Sequence, residues 1–264
     1  MEAFYRANLS KEIPSSHEYG DKHWRHAKKV HLMADKFSEF ARMTKFGTTA
    51  QEACSVNPKR RNLSAFHIRY QSWLEKNGFA GFSVSYSGVR ALPDYPELGA
   101  CPEAIVQIDN KVRFVAIFSD VSSGLKSKDM GTVEEGVEEG VRLPVYRKRN
   151  GDLALGWDCE YYYEADGLLR AFPEAECCHF VLLGPKMGNN DGDDDDDIRI
   201  ISIERQDKYP IKYNVDDVYN KLRKIYFGAV LPEMAHSRKN AGHPFRSKLL
   251  PDEQIQRVVG VLGL

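Results

Sequence analysis

The chain has 264 residues, of which 42% are hydrophobic and 28% are charged, and its formal net charge is -1 at pH 7. This composition is ordinary for a globular protein, and the length suffices for the core of one α/β domain. A net charge so close to zero excludes a generally basic nucleic-acid-binding protein, so any basic surface has to be local. No apolar run approaches the roughly 20 residues of a membrane-spanning helix, so the composition predicts no membrane partner.

The N-terminus and the cysteines predict an intracellular protein, either cytoplasmic or nuclear. Residues 1–16 lack the basic start and apolar core of a secretory signal. The five cysteines are scattered and form no C-x-x-C pair: Cys54, Cys101, Cys159, Cys177 and Cys178. We therefore expect reduced thiols rather than a zinc site or a disulfide framework.

Hydrophobic periodicity predicts alternating helices and strands. The predicted helices span 18–44, 63–76, 157–172 and 215–230, and the predicted strands span 82–91, 104–108, 112–118, 178–183 and 198–203. Shorter elements are a helix over T-V-E-E-G-V-E-E-G-V, a hairpin about Asn150-Gly151 and a last helix over 252–259. This pattern predicts an α/β fold with a mixed central sheet and helices on its faces.

The same pattern divides the chain into three parts. Residues 1–16 are predicted to be an N-terminal extension, and residues 17–235 the main domain. Residues 236–264 are predicted to be a basic tail whose short helix docks either on the domain or on a partner.

Basic residues near the N-terminus are the candidates for nucleic-acid contact. Lys59, Arg60 and Arg61 form a cluster, and Lys28 and Lys29 lie on the first predicted helix. Lysine and arginine supply most contacts to phosphate, so such binding is weak and salt-sensitive. The simpler interpretation of the cluster is a solvated basic loop before a helix, which the sequence favours.

Two further stretches have a structural and a functional interpretation. The run G-N-N-D-G-D-D-D-D-D over 188–197 lacks the spaced Gly and final Glu of a calcium loop, and its self-repulsion predicts a solvated hairpin tip. The tyrosines at 161–163 could stack on bases, but their pattern is also that of a helix packed on a sheet, which we favour.

The stretch over 96–120, P-E-L-G-A-C-P-E-A-I-V-Q-I-D-N-K-V-R-F-V-A-I-F-S-D, predicts a β-hairpin. Two apolar runs flank the turn residues Asp109 and Asn110. The first arm resembles the hairpin of the YqaJ-type viral recombinase family, nucleases similar to lambda exonuclease, which reads roughly L-G-A-S-P-D-G-L-V, a turn, then L-E-I-K. The resemblance implies a restriction-endonuclease-like core. It places Glu103 at the metal-binding Asp, Ala116 at the catalytic Glu and Phe118 at the catalytic Lys.

Two helices extend the resemblance. Aligning Trp73 with the aromatic residue of the second family helix places Phe66 at a metal-site Glu. The stretch W-D-C-E-Y-Y-Y-E-A-D-G-L-L resembles the family helix H-x-Y-Y-x-Q-x-Q-G-Q-M, in which a Gln lies beside the metal. Here Cys159 replaces the His, and Glu164 and Asp166 replace two Gln. The apolar residues keep the spacing of the family helices, whereas the polar residues differ from those of the family.

The departures leave two hypotheses. In the first, the chain is a pseudonuclease without a cofactor, retained as an interaction module for nucleic acid or protein. In the second, it is a metal-dependent DNA exonuclease or endonuclease in which Glu103, Asp120 and either Glu164 or Asp166 hold Mg²⁺ or Mn²⁺ at a displaced site. We favour the first, because one carboxylate in place is a poor Mg²⁺ site and no replacement for the lysine is visible.

Overall fold

The structure is a computed structural model, and it describes residues 31–43, 63–187, 195–206, 209–235 and 249–262. Its strands are β1 (Leu32–Met33), β2 (Phe82–Ser85), β3 (Arg90–Leu92), β4 (Tyr95–Ala100), β5 (Ala104–Ile108), β6 (Lys111–Asp120), β7 (Val145–Arg147), β8 (Leu153–Leu155), β9 (Cys177–Met187) and β10 (Asp195–Glu204). Its α-helices are α1 (Phe37–Arg42), α2 (Leu63–Lys76), α3 (Ser122–Lys126), α4 (Val133–Glu138), α5 (Glu160–Ala171), α6 (Val215–Ile225), α7 (Leu231–Ala235) and α8 (Asp252–Leu262).

A mixed sheet lies at the centre of the fold, as the sequence predicts. In the described part of the chain its order is β10-β9-β6-β5-β2, flanked by a three-stranded sheet, β1-β4-β3, and the hairpin β7-β8. The pair β6 and β9 is parallel, and the other pairs of the central sheet are antiparallel. Strand β9 is buried on both faces from Cys177 to Pro185, which explains its continuous apolar sequence.

The hairpin formed by β5 and β6 confirms the central prediction from the sequence. Ala104 pairs with Ala116, and Ile108 pairs with Lys111 across a two-residue turn. Asp109 and Asn110 have φ angles of 52° and 62°. Two consecutive positive φ angles define a type I′ turn, whose twist matches that of the strands it joins, and Asp and Asn tolerate this conformation well.

Helices cover both faces of the central sheet. Helix α2 places Tyr70 and Leu74 over the face that carries Ala116 and Phe118. Helix α5 packs on the opposite face, where Val115, Ile117, Phe180 and Leu182 point, and α6 joins the same core through β4 and α1. Alternate residues of β6 therefore belong to two separate cores, as the period of a strand requires.

Two predicted elements at the N-terminal side are wrong in extent. Within the described part of the predicted helix 18–44, residues 32–33 form β1, which pairs in parallel with Leu98 and Gly99, and α-helix begins only at Phe37. The predicted strand 82–91 is divided between β2, which pairs with β5, and β3, which pairs with β4 in another sheet. Both differences have one cause: pairing with a distant strand overrides local periodicity.

Two predicted helices have different ends. The predicted helix 157–172 begins at Glu160 instead, because Asp158 has a φ of 54° and Cys159 is extended. The predicted helix 215–230 continues as a π-helical turn, Tyr226–Val230, into α7. Pro232 has no N–H for the carbonyl of Gly228 four residues before it, and the N–H of Leu250 donates to that carbonyl instead, at 3.0 Å.

The C-terminal helix α8 docks on the domain itself. Ile255 is buried, and a Cβ added at Gly228 would lie 2.8 Å from its Cδ1 atom. The glycine thus admits Ile255 into the π-helical turn. Lys224 adds a hydrogen bond of 2.8 Å to Asp252. None of the described helices is both long and apolar enough to cross a membrane.

Asp197 is buried rather than part of the predicted solvated tip. It lies in β10, and its Oδ2 atom accepts a hydrogen bond of 2.7 Å from the N–H of Val133. A side chain on Gly184 would collide with this carboxylate, so the glycine makes room for it. Arg199 lies 3.3 Å from Oδ1 and balances the charge. Residues 188–194 of the acidic run lie outside the described residues.

Candidate functional site

Ala116 and Phe118, the positions that the resemblance assigns to a catalytic Glu and Lys, point toward helix α2. Both are fully buried. Ile117, which lies between them in the strand, points to the opposite core. Ser119 points the same way as Ile117, and its hydroxyl lies 3.2 Å from that of Tyr161 on α5. The site that the resemblance predicts is therefore located between the central sheet and α2.

An aromatic cluster of Phe66, His67, Tyr70 and Phe118 fills that location. The Phe118 ring lies 5.8 Å from the rings of Phe66 and His67 and 5.7 Å from that of Tyr70, measured between centroids. Phe66 is the residue that the resemblance assigns to a metal-site Glu. The aligned metal-ligand and cation positions thus meet in space, and both carry phenyl rings.

The cluster continues inward as a neutral polar pair. The Tyr70 hydroxyl lies 2.5 Å from Nδ1 of His179, whose ring stacks on Phe114 at 4.3 Å. Burial lowers the pKa of His179 to about 4 and raises the pKa of Tyr70 far above its usual range. At neutral pH both groups are uncharged, so neither supplies the cation that a phosphate site requires.

Glu103 extends the β5–β6 ladder with its side chain. Its N–H donates to the carbonyl of Ala116 at 2.9 Å, and its carboxylate accepts a short hydrogen bond from the N–H of Phe118. Nε2 of His67 donates to the Glu103 carbonyl at 2.8 Å. Burial lowers the pKa of His67, although this hydrogen bond opposes the effect, so its ring is neutral at pH 7. If β5 continued beyond Ala104, a main-chain carbonyl would accept the hydrogen bond from the N–H of Phe118. The Glu103 carboxylate takes the place of that carbonyl.

Asp120, the second candidate ligand, lies at the exposed end of β6. Its Oδ1 atom accepts hydrogen bonds from the N–H of Ser122 at 2.9 Å and from its hydroxyl at 2.5 Å. The carboxylate therefore closes a local turn just before α3, which is a common role for Asp.

Glu164 and Asp166 lie on α5, on the opposite side of the sheet from Phe118. Asp166 is buried and accepts hydrogen bonds from the Tyr219 hydroxyl at 2.6 Å and from Nε of Arg170 at 3.0 Å. Glu164 is half-buried and interacts electrostatically with Cys178, which belongs to the α5-side core. Among the residues that the structure describes, no three His, Cys, Asp or Glu side chains are placed to hold a metal ion.

The three tyrosines of α5 pack inside the domain. Tyr163 is buried and donates to Asp158 at 3.0 Å. Tyr161 lies 4.5 Å from the ring of Phe180, and Tyr162 lies 5.9 Å from that of Tyr209. These contacts agree with a role in the core. The predicted phosphate contacts, Lys28, Lys29, Lys59, Arg60 and Arg61, lie outside the described residues.

His67, Tyr70 and His179 were not singled out from the sequence. Tyr70 could have been found there, because it follows Phe66 by four residues and therefore shares its face of α2. His179 lies inside the apolar run C-H-F-V-L-L, and a single histidine in such a run forms no recognisable motif. Only the packing of α2 on β9 joins it to Tyr70.

Comparisons with known proteins find similarity to solved structures only. No family model matches the chain, and no curated protein matches it. Its structure is similar to the crystal structure of an alkaline exonuclease, LHK-Exo, from Laribacter hongkongensis, with a TM-score of 0.49 and 16% identity over 84% of this chain and 98% of that one. The structure of LHK-Exo in complex with dAMP has a TM-score of 0.49 and 15% identity over the same shares.

Proposed function

We propose that this chain is a non-catalytic interaction module that binds nucleic acid, built on the type of nuclease scaffold that its motifs resemble. The observation that carries the proposal is the contact of Phe66 with Phe118. These rings occupy the positions at which the resembling family has a metal-ligating carboxylate and a catalytic cation.

The chemistry of cleavage explains why this contact matters. Metal-dependent hydrolysis of a phosphodiester needs carboxylates that hold one or two divalent ions, and it gains from a cation beside the phosphate. Mg²⁺ gives up its water reluctantly and takes oxygen ligands. The phenyl rings of Phe66 and Phe118 offer none, and the carboxylate of Glu103 already accepts a hydrogen bond from the main chain.

Two features of the sequence support nucleic acid as the partner. The frames L-G-A-C-P-E-A-I-V and Y-Y-Y-E-A-D-G resemble those of a DNA-processing family. In addition, Lys59, Arg60 and Arg61 place three cations in succession. Contacts of this kind release counterions, so we expect binding that is weak at physiological salt and stronger at low salt.

An intracellular setting is part of the proposal. Among the described cysteines, Cys159, Cys177 and Cys178 are free thiols. Burial raises the pKa of Cys178 well above its usual range, so this thiol stays protonated and unreactive. Unpaired thiols of this kind are typical of a reducing compartment.

The cleavage test compares the parent chain with Glu103→Ala and Glu103→Gln. Each protein is incubated with end-labelled linear duplex and single-stranded DNA in Mg²⁺ or in Mn²⁺, and the products are resolved on a gel. We expect no degradation above a chelator control for any of the three. Degradation by the parent that both substitutions abolish would establish instead a metal-dependent nuclease built on Glu103.

The binding test measures the fluorescence anisotropy of labelled oligonucleotides at low and at physiological salt. We expect saturable binding that weakens as salt is added. Reversing the charge of Lys59, Arg60 and Arg61 should lower the affinity for all sequences alike, because phosphate contacts carry no sequence information. Absence of binding at low salt would contradict the proposal and leave a protein as the partner.

A further inference from the structure

The hairpin of β7 and β8 projects a rigid turn from the domain. Val145 and Leu155 pair at its base and are buried, so they anchor it to the core. At its tip, the N–H of Lys148 donates to the carbonyl of Asp152 at 2.8 Å, and Gly151 has a φ of 93°. Glycine adopts this conformation at little cost, so the tip is preorganised.

The hairpin is basic although the whole chain is nearly neutral. Residues 142–152 contain four exposed cations and one acid, which is a net charge of +3: Arg142, Arg147, Lys148, Arg149 and Asp152. The acid accepts a hydrogen bond of 2.7 Å from Asn150 within the turn. Glu138 at the end of α4 lies 3.4 Å from Arg147, and because this pair is exposed it is weak.

Two exposed aromatic side chains accompany these cations. Tyr146 is 49% exposed and lies opposite Ala154 in the ladder, and Trp157 is 71% exposed just after the base of the hairpin. The N–H of Gly156 donates to the carbonyl of Pro144 at 2.8 Å, so the ladder extends almost to Trp157. Two large exposed rings on one short basic hairpin go beyond the single exposed apolar residues that are normal on a protein surface, and they indicate a contact surface.

We propose that this basic hairpin, residues 142–157, binds single-stranded nucleic acid, with Lys148 and Arg149 on phosphates and Tyr146 and Trp157 stacked on bases. The inference rests on the proposed function and gives it a surface and a substrate class. A duplex hides the faces of its bases within the stack, whereas a single strand offers bases and phosphates together. Aromatic platforms beside cations are how proteins bind single strands without sequence preference.

The charge on the hairpin is tested with Lys148→Glu/Arg149→Glu. The matched control is Lys111→Glu/Arg257→Glu, which makes the same change in net charge at exposed positions of β6 and α8. The probes are labelled oligothymidylate and oligouridylate of about 20 nucleotides, longer than the roughly 4–16 that one single-strand-binding fold covers. We expect the hairpin variant to bind at least about tenfold more weakly, and its salt slope to become shallower by about 0.7 for each phosphate that it no longer neutralises.

The stacking is tested separately with Tyr146→Ala/Trp157→Ala. Loss of a stacked base commonly weakens binding by about tenfold or more. The salt slope should stay as in the parent, because stacking releases no counterions. Trp157→Phe should retain most of the affinity, whereas Ile68→Ala removes an exposed apolar side chain from α2 and should change nothing.

The outcomes separate the inference from the proposed function. If the parent binds and the hairpin variants bind as tightly as the controls, the inference is overturned and the proposed function stands. Equal affinity for duplex and single strand, with no effect of the aromatic substitutions, also overturns it. No binding by the parent to any oligonucleotide at low salt overturns both. Selective loss in the two hairpin variants supports it, and the preferred oligonucleotide then distinguishes DNA from RNA.

Discussion

The ring centroids of Phe66 on α2 and Phe118 on β6 lie 5.8 Å apart between helix and sheet. Two separate motifs assign these positions to a metal ligand and to a cation, groups that act on one phosphate and therefore have to be neighbours. Their meeting in space supports the alignment of both motifs. In this chain both positions carry phenyl rings: Phe118 is fully buried, and Phe66 packs against it.

Phe118 should be important for stability. Because it is fully buried, Phe118→Ala should lower the free energy of unfolding by about 3–5 kcal/mol. Phe118→Lys should cost at least as much, since it would bury a cation among the aromatic rings of α2. Urea unfolding at pH 7 measures both, and Ile68→Ala, at a position 66% exposed, should stay within about 0.5 kcal/mol. A Phe118→Lys variant as stable as the parent would indicate an open, ion-binding site.

Glu103 should act through a hydrogen bond to the main chain. Glu103→Ala leaves the N–H of Phe118 without its acceptor and should cost about 1–3 kcal/mol. Glu103→Gln keeps an oxygen acceptor and should cost less than about 1 kcal/mol. Urea unfolding and the hydrogen-exchange rate of the Phe118 amide measure the difference. Equal losses in the two variants would mean that the negative charge, rather than the acceptor, is what the site needs.

His179 should make stability depend on pH below neutrality. Its pKa is about 4 in the folded protein and 6.5 in the unfolded chain, so the unfolded chain binds the proton first as the pH falls. Its contribution is therefore complete above pH 6.5, falls between pH 6.5 and 4, and amounts to roughly 3 kcal/mol.

A difference measurement isolates this histidine. Burial raises the pKa of Glu97 and of Asp197, and these acids therefore act in the opposite direction over an overlapping range. Urea unfolding at several pH values, for the parent and for His179→Gln, should give curves that converge as the pH falls from 6.5 to 4. A constant difference between them would mean that the pKa of His179 is the same in the folded protein as in the unfolded chain.

The docked C-terminal helix should contribute to the stability of the whole domain. Ile255→Ala removes a buried side chain and should cost about 2–5 kcal/mol, and Gly228→Ala should cost about 1–3 kcal/mol by overpacking against Ile255. Hydrogen exchange of the Leu250 amide, which donates to Gly228, should accelerate in both variants. Val261→Ala, at a position 52% exposed, is the control. An unchanged Leu250 amide would show that the helix docks through other contacts.

The sequence by itself determined the elements whose signals are local. The Asp109-Asn110 turn, the apolar run of β6 and the doubly buried β9 follow from residues a few positions apart, because turn chemistry and strand patterns act over that distance. Through the family resemblance it also placed Glu103 and Ala116 at expected metal-site carboxylates and Phe118 at an expected lysine, since residue identity and spacing are read directly from the sequence.

The tertiary structure decided what those residues do. Residues 82–91 carry one strand-like pattern, yet they divide between two sheets, because periodicity does not specify the partner strand. Nothing local brings the helix residue Tyr70 to His179 or bends the Glu103 carboxylate to the N–H of Phe118. The packing of α2 across the sheet joins Tyr70 to His179, which are distant in the chain, and the register of β5 and β6 brings Glu103 to Phe118. Burial in that packing then removes the water that would otherwise keep the pKa of His179 near its usual value.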